Sequence, residues 1–336
     1  MVWYRQMKHD TFDKYPPYGM ELPTQALLTT WDCLPDCRAD LVLVGGLAVR
    51  YLTKLPVLGM PGAVTLDVDF GVNIAAGGGA YPVIREHLSA HGFQWVNSRF
   101  SRKFPKMELH IDLLTDDDRS DAGSVILDDG LSVGIFPGIN RALACYRIVS
   151  VAGATLLGRP LTENIKLAEV GPLLALQLNA FGGPGGRKPP KDAHDVLYLA
   201  EIYLGGTAAA VTGFREDRRT GNRGINPALQ CLKRFFSGPE SQSSLACAPF
   251  RLNNLHLKPQ NADASLQIRQ QFVTLTRNCL RKMSEYLHVE KPSFYQLAML
   301  GWVVVDQGQG GHPPDAAPIF RNDVLWRCSV SPSWGG

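Results

Sequence analysis

The sequence predicts an α+β protein: a mixed sheet with helices in the N-terminal half, then a mainly α-helical C-terminal half. Three observations carry this. A short apolar run, Ala39 to Val44, stops at Gly45-Gly46 and gives way to a helical stretch, Leu47 to Leu55. Strand-like segments recur at Val64 to Val72, Phe93 to Phe100 and Lys106 to Leu114, with shorter pieces at 123–128, 131–135 and 146–149. Beyond about residue 160 the apolar pattern becomes helical at Leu173 to Phe181, Lys191 to Leu204, Pro227 to Phe236, Ala264 to Tyr286 and Ser293 to Val305.

Each element has a local cause. Residues 1–23 hold five aromatics and three prolines without a clean period, and read as an irregular arm before a helix from Pro23 to Cys33. Ala39 to Val44 has the continuous apolar character of a buried strand. Turn formers crowd residues 56–63, Gly77 to Gly79 mark a loop, and Tyr81 to His91 suits a helix. Arg102, Lys103 and Lys106 form a basic turn, and the polar, proline-broken stretch 237–262 reads as a loop. The expected organisation is an arm and helix at 1–37, a sheet domain at 38–160, a helical domain at 161–307 and a loose tail at 308–336.

The chain has 336 residues, 45% hydrophobic and 19% charged, enough apolar matter for a packed core. A net charge of +3 is too small to argue for nucleic-acid binding by itself. The seven cysteines are dispersed; Cys33 and Cys37 lack a second Cys/His pair to complete a zinc site, so reduced thiols in a cytoplasmic protein are expected. A secretory signal and a membrane span are not expected, since no stretch approaches the roughly 20 apolar residues a span needs.

The chemistry-bearing residues are carboxylates. Asp67 and Asp69 lie two apart in an expected strand and therefore share a face, with Val68 on the other. Adjacent carboxylates repel, and a hard divalent cation relieves that repulsion. Asp112 sits in a second apolar run, His110-Ile111-Asp112-Leu113-Leu114. If the two strands are neighbours, three carboxylates converge on a patch suited to metal-assisted phosphoryl displacement, and Asp112 can also accept a hydroxyl proton. Asp-x-Asp alone is common at turns and on solvated faces. The apolar flanks, the third aspartate and the upstream Gly45-Gly46 give it weight. That glycine pair opens a helix whose free N–H groups can meet phosphate, although neither a Walker loop nor a Gly-x-Gly-x-x-Gly turn is present. A dinucleotide-binding oxidoreductase therefore ranks low.

Together these pieces resemble the polymerase-beta-like nucleotidyltransferase superfamily, and within it the AbiEii abortive-infection toxin group. The likeness is carried by Leu43-Val44-Gly45-Gly46-Leu47-Ala48, Thr65-Leu66-Asp67-Val68-Asp69-Phe70, His110-Ile111-Asp112-Leu113-Leu114 and Lys191-Asp192-Ala193-His194-Asp195-Val196-Leu197, over about residues 38–205. The resemblance implies a nucleotidyltransferase-fold sheet, a catalytic domain at 38–160, and Mg²⁺ or Mn²⁺ held by Asp67, Asp69 and Asp112. It implies triphosphate contacts from Gly45 and Gly46, and Lys191, Asp192 and Asp195 near the cleft. The implied partners are a nucleoside triphosphate, an RNA, protein or small-molecule acceptor, and an antitoxin protein, with no membrane. The chain departs from the pattern at two expected cations, where it has Ala63 and Gln177; Arg50, Lys54, Arg99, Lys103 and Lys188 are candidate substitutes. These departures leave a degenerate nucleotide-binding module as the alternative.

Read from the residues alone, Lys191 and Asp195 can equally pair on a helix surface, and His110 and His194 read as structural. Arg215, Arg218, Arg219 and Arg223 read as a loop, either gripping acceptor phosphates or forming a solvated connector.

Overall fold

The first helix, α1 (Glu21–Cys33), buries Ala26, Leu27, Leu28 and Trp31. A 3₁₀ segment, Pro35–Asp40, takes up the first residues of the expected strand, so that β1 is Leu41–Val44, buried throughout. The helix α2 (Gly45–Leu52) starts on the glycines themselves. Then come β2 (Asp67–Val72) and α3 (Pro82–Ala90). This computed structural model of the chain describes residues 9–15, 21–54, 62–73, 82–105, 107–127, 130–183, 186, 188–237 and 241–252. They all belong to one compact unit, residues 1–288. The expected loop at Gly77 to Gly79, the helices at 264–286 and 293–305 and the tail from 308 lie outside the described residues.

Phe93 to Phe100 is a hairpin where a single strand was expected. β3 (Gln94–Val96) and β4 (Arg99–Phe104) meet at Asn97 and Ser98, with φ of 53° and 63°. Positive φ at both central residues gives the tight turn whose twist matches the flanking strands. Arg102 and Lys103 thus lie in a strand, not in a turn. β5 (Met107–Thr115), β6 (Ser124–Ile126), β7 (Ser132–Ile135), α4 (Ile139–Ala144), β8 (Tyr146–Ala154) and β9 (Pro160–Ala168) follow.

The strand order is β3-β4-β5-β2-β1-β9-β8, with β7 joining the end of β5 and carrying β6. The sheet is mixed: β1 runs parallel to β9, and β5 parallel to β2 and β7, while the other pairings are antiparallel. It continues past residue 160, the expected boundary, because β9 lies directly beside β1.

The helices α5 (Val170–Gly182), α6 (Pro190–Ile202), α7 (Gly206–Asp217), α8 (Ile225–Phe235) and α9 (Gln242–Leu252) complete the described fold. Two of them correct the sequence. Arg215 lies in the last turn of α7 and Arg218 and Arg219 in a 3₁₀ turn, where a loop was expected. Residues 242–252 are helical within the expected loop 237–262. Among the described residues, no helix is long and apolar enough to cross a membrane.

The placement of α2 and α6 matters most for the site. Their far ends are joined by hydrogen bonds from Lys54 N–H to the Ile202 carbonyl (3.0 Å) and from Leu204 N–H to the Leu52 carbonyl (2.9 Å). Their near ends meet where Gly46 lies against Lys191. The two helices therefore run side by side in the same direction, with the N-terminus of α2 set against β2.

Candidate active site

The parallel register of β2 and β5 sets Asp69 beside Asp112 and Asp67 beside His110. Side chains alternate along a strand, so all four project from one face. One ligand oxygen each from Asp67, Asp69 and Asp112 lies within 4.8 Å of the others. Thr65, just before β2, donates its hydroxyl proton to Asp67 Oδ1 in a buried hydrogen bond. The donor set is all carboxylate oxygen, the chemistry that hard Mg²⁺ or Mn²⁺ takes and a soft cation does not.

Gly45 explains itself here. Its φ is +71°, and a Cβ on it would fall 1.9 Å from Asp69 Oδ2. Asp69 occupies the space a side chain would fill, against the N-terminus of α2, where free N–H groups favour negative charge. A Cβ on Gly46 would lie 2.9 Å from Lys191 Nζ. Gly45→Ala is expected to cost about 1–2 kcal/mol in backbone strain alone and to weaken Mn²⁺ binding by displacing Asp69. Urea unfolding and Mn²⁺ titration check this; an alanine variant matching the wild type in both would contradict the packing of Asp69 on Gly45. Gly46→Ala, with ordinary φ and with the Lys191 tip at 2.9 Å and Thr65 Cβ at 3.1 Å as neighbours, is expected to do less.

The α6 residues belong to the same cluster. Lys191 Nζ lies 2.6 Å from Asp195 Oδ2, with the two side chains 5% and 1% exposed. Burial by itself lowers the Lys191 pKa. The charges of Asp195, Asp192 and Asp67 outweigh burial and hold the ammonium above its ordinary value. The pair is therefore buried, not on a helix surface. His194 packs against Tyr198 and Phe250 and contacts the Gly62 carbonyl at 3.2 Å, a structural place.

Three residues enter that the sequence did not assign to the site. Thr65 orients Asp67. Tyr15, from the irregular arm, is buried with Val64 and Phe250. Desolvation chiefly keeps its phenol protonated, and the charges of Lys191, Asp195 and Asp67 reach it. Arg99, weighed only as one of several substitute cations, places Nη2 2.5 Å from Asp112 Oδ2. Lys188, by contrast, sits over the Phe235 ring. Of the basic segment, Arg223 braces the 116–121 loop through Asp116 and Asp121.

His110 shares the face of the three aspartates. Desolvation, then Arg99, pushes its pKa down to about 4, against the opposing pull of Glu108 and Asp67. The unfolded chain thus protonates first as pH falls from 6.5 toward 4, and stability declines through that window. His110→Gln is expected to flatten this part of the acid dependence of the urea midpoint. An unaltered slope would mean that His110 titrates normally in the folded protein.

No protein-family model matches the chain, and no curated protein matches it.

Proposed function

We propose that this chain is a metal-dependent nucleotidyltransferase of the polymerase-beta-like kind, with its catalytic domain in the sheet half and the helical half supplying Lys191 to the cleft. One observation carries this above the others: three aspartates on neighbouring parallel strands bring oxygens within 4.8 Å beside a glycine-started helix. Acidic clusters occur without metals, but here the cluster meets the N-terminus of α2 and a buried lysine. Those are the features that receive a triphosphate.

In this mechanism, Gly45 and Gly46 offer backbone N–H groups to phosphate oxygens, and Lys191 adds a fixed positive charge beside them. Asp67, Asp69 and Asp112 would hold Mg²⁺ or Mn²⁺, which when bound supplies charge neutralisation at the reacting phosphate. The acceptor hydroxyl oxygen bonds to the α-phosphorus as the bond to the bridging oxygen of pyrophosphate breaks. Asp112 takes the hydroxyl proton. Positioning and electrostatics provide most of the acceleration.

The test is transfer of label from each α-labelled nucleoside triphosphate, with Mg²⁺ or Mn²⁺, onto total RNA, total protein and small-molecule pools. Label in one pool, lost on chelation, supports the proposal and names base and acceptor. Absence of transfer with every nucleotide overturns it. Growth arrest on expression, relieved by Asp67→Ala, would add the toxin role. A degenerate module that binds nucleotide without turnover is favoured by one fact: Ala63 and Gln177, where the resemblance expects cations, are neutral and buried.

A further inference from the structure

We infer that Arg99 is a second triphosphate-binding cation of this centre, beside Lys191, held on Asp112 until a divalent cation takes that carboxylate. The inference rests on the nucleotidyltransferase proposal above and adds to it a residue role and a coupling between two ligands.

The geometry begins with an unfilled fork. The Nε–H and Nη2–H groups of a guanidinium point the same way and together grip two oxygens. In two other arginines of this protein that fork is filled. Arg147 places Nε and Nη2 at 2.9 and 2.7 Å from the two oxygens of Glu169, and Arg119 places the same atoms at 3.0 and 3.1 Å from those of Asp117. Arg99 differs. Its Nη2 reaches Asp112 at 2.5 Å, while its Nε is buried and, among the described residues, has no hydrogen-bond partner; Arg85 Nε is likewise buried and unpartnered, but its guanidinium lies over the Trp95 ring and not on the carboxylates. Buried donors are normally satisfied, so an unsatisfied one beside an active site marks the place of an absent oxygen.

A phosphate supplies two such oxygens at the spacing the fork fits, and arginine is the side chain best shaped for it. Arg99 is also a cation set directly on the carboxylate triad, in a chain whose two expected phosphate cations are replaced by Ala63 and Gln177. While no metal is bound, Asp112 is the natural counterion of Arg99. Were Asp112 to ligate a divalent cation, Nη2 would lose its partner, and both arms of the Arg99 fork would be left to hold a phosphate. Arg99 and the metal thus compete for Asp112, and the triphosphate relieves the competition.

This coupling has opposite consequences for the two ligands. Removing Arg99 removes a competitor of the metal and a holder of the triphosphate. A residue that merely braced the sheet would, when removed, weaken both.

The experiment measures Mn²⁺ alone, then Mn²⁺-loaded inorganic tripolyphosphate, by calorimetry on the wild type, Arg99→Gln and Arg99→Lys. Tripolyphosphate frees the result from base preference. For Arg99→Gln, Mn²⁺ is expected to bind about two- to fivefold more tightly, the range for releasing a partly exposed ion pair. Tripolyphosphate is expected to bind roughly 10- to 100-fold more weakly, the range for losing charged hydrogen bonds. Arg99→Lys keeps the charge without the fork, so its Mn²⁺ affinity should stay near wild type while tripolyphosphate binding drops. It also carries the test if the glutamine variant does not fold. Parallel weakening of both ligands, or no change in either, overturns the role of Arg99 alone. A wild type that binds neither ligand overturns the nucleotidyltransferase proposal, and this inference with it.

Discussion

Converting Asp67 and Asp69 together to alanine is expected to abolish nucleotidyl transfer, a loss of roughly a thousandfold or more, since metal and electrostatic stabilisation supply most of such a rate. The expected effect on the fold is the informative part. Three carboxylates within 4.8 Å repel one another in the metal-free protein. The gentler variant Asp69→Asn removes one charge at nearly constant shape and should unfold at the same temperature as the metal-free wild type, or higher. Saturating Mn²⁺, at about a hundredfold excess over its Kd, is expected to raise the wild-type Tm by about 4 °C and the asparagine variant by much less. Calorimetric unfolding with and without Mn²⁺ reads both. A variant that retains transfer, or a wild type indifferent to Mn²⁺, would mean that the carboxylates serve the fold and not the chemistry. Stability kept while function is lost is the pattern of a strained cluster maintained for its ligand.

That cluster was the most legible part of the sequence. Aspartates flanked by Val68, Phe70, Ile111 and Leu113 stand out against an apolar run, and the period of a strand fixes their shared face. Their pairing needs the sheet topology, which the sequence does not contain; the register of β2 on β5 supplies it. Arg99 was obscured for a local reason. Reading Phe93 to Phe100 as one strand hides the turn at Asn97 and Ser98, and only that turn sends β4 back along β5 to meet Asp112. The strand β9 was missed because Thr162, Glu163, Asn164 and Lys166 mask its alternation, although Ile165 and Leu167 are buried. The helix α7 was missed because it is rich in alanine and glycine. Its small residues serve close packing: a Cβ on Gly171 of α5 would fall 2.5 Å from the Gly213 carbonyl. Tyr15 carried no signal at all, since nothing in an aperiodic arm says what it covers.

Lys191→Met is expected to produce the largest loss of stability, about 3–5 kcal/mol, the usual result of removing one partner from a buried ion pair. Asp195, with its side chain 1% exposed, would lose the ammonium 2.6 Å away, and Asp192 and Asp67 would lose a neighbouring positive charge. The pH dependence has a definite sign. The folded pKa of Lys191 is raised above 10.5, so the contribution of its charge is complete below pH 10.5 and is lost only as pH climbs through the folded value. The difference in urea midpoint between wild type and Lys191→Met should therefore hold steady from pH 7 to 10, and a difference that shrinks over this range would contradict a charged, paired lysine. The double variant Lys191→Met/Asp195→Leu separates structure from chemistry. Replacing both members of a buried pair by apolar groups removes most of the penalty, so its stability should recover. Transfer should not recover, because the charge beside Gly46 and the N-terminus of α2 is still missing. Recovery of both would reduce Lys191 to a brace and leave the triphosphate to α2 and Arg99.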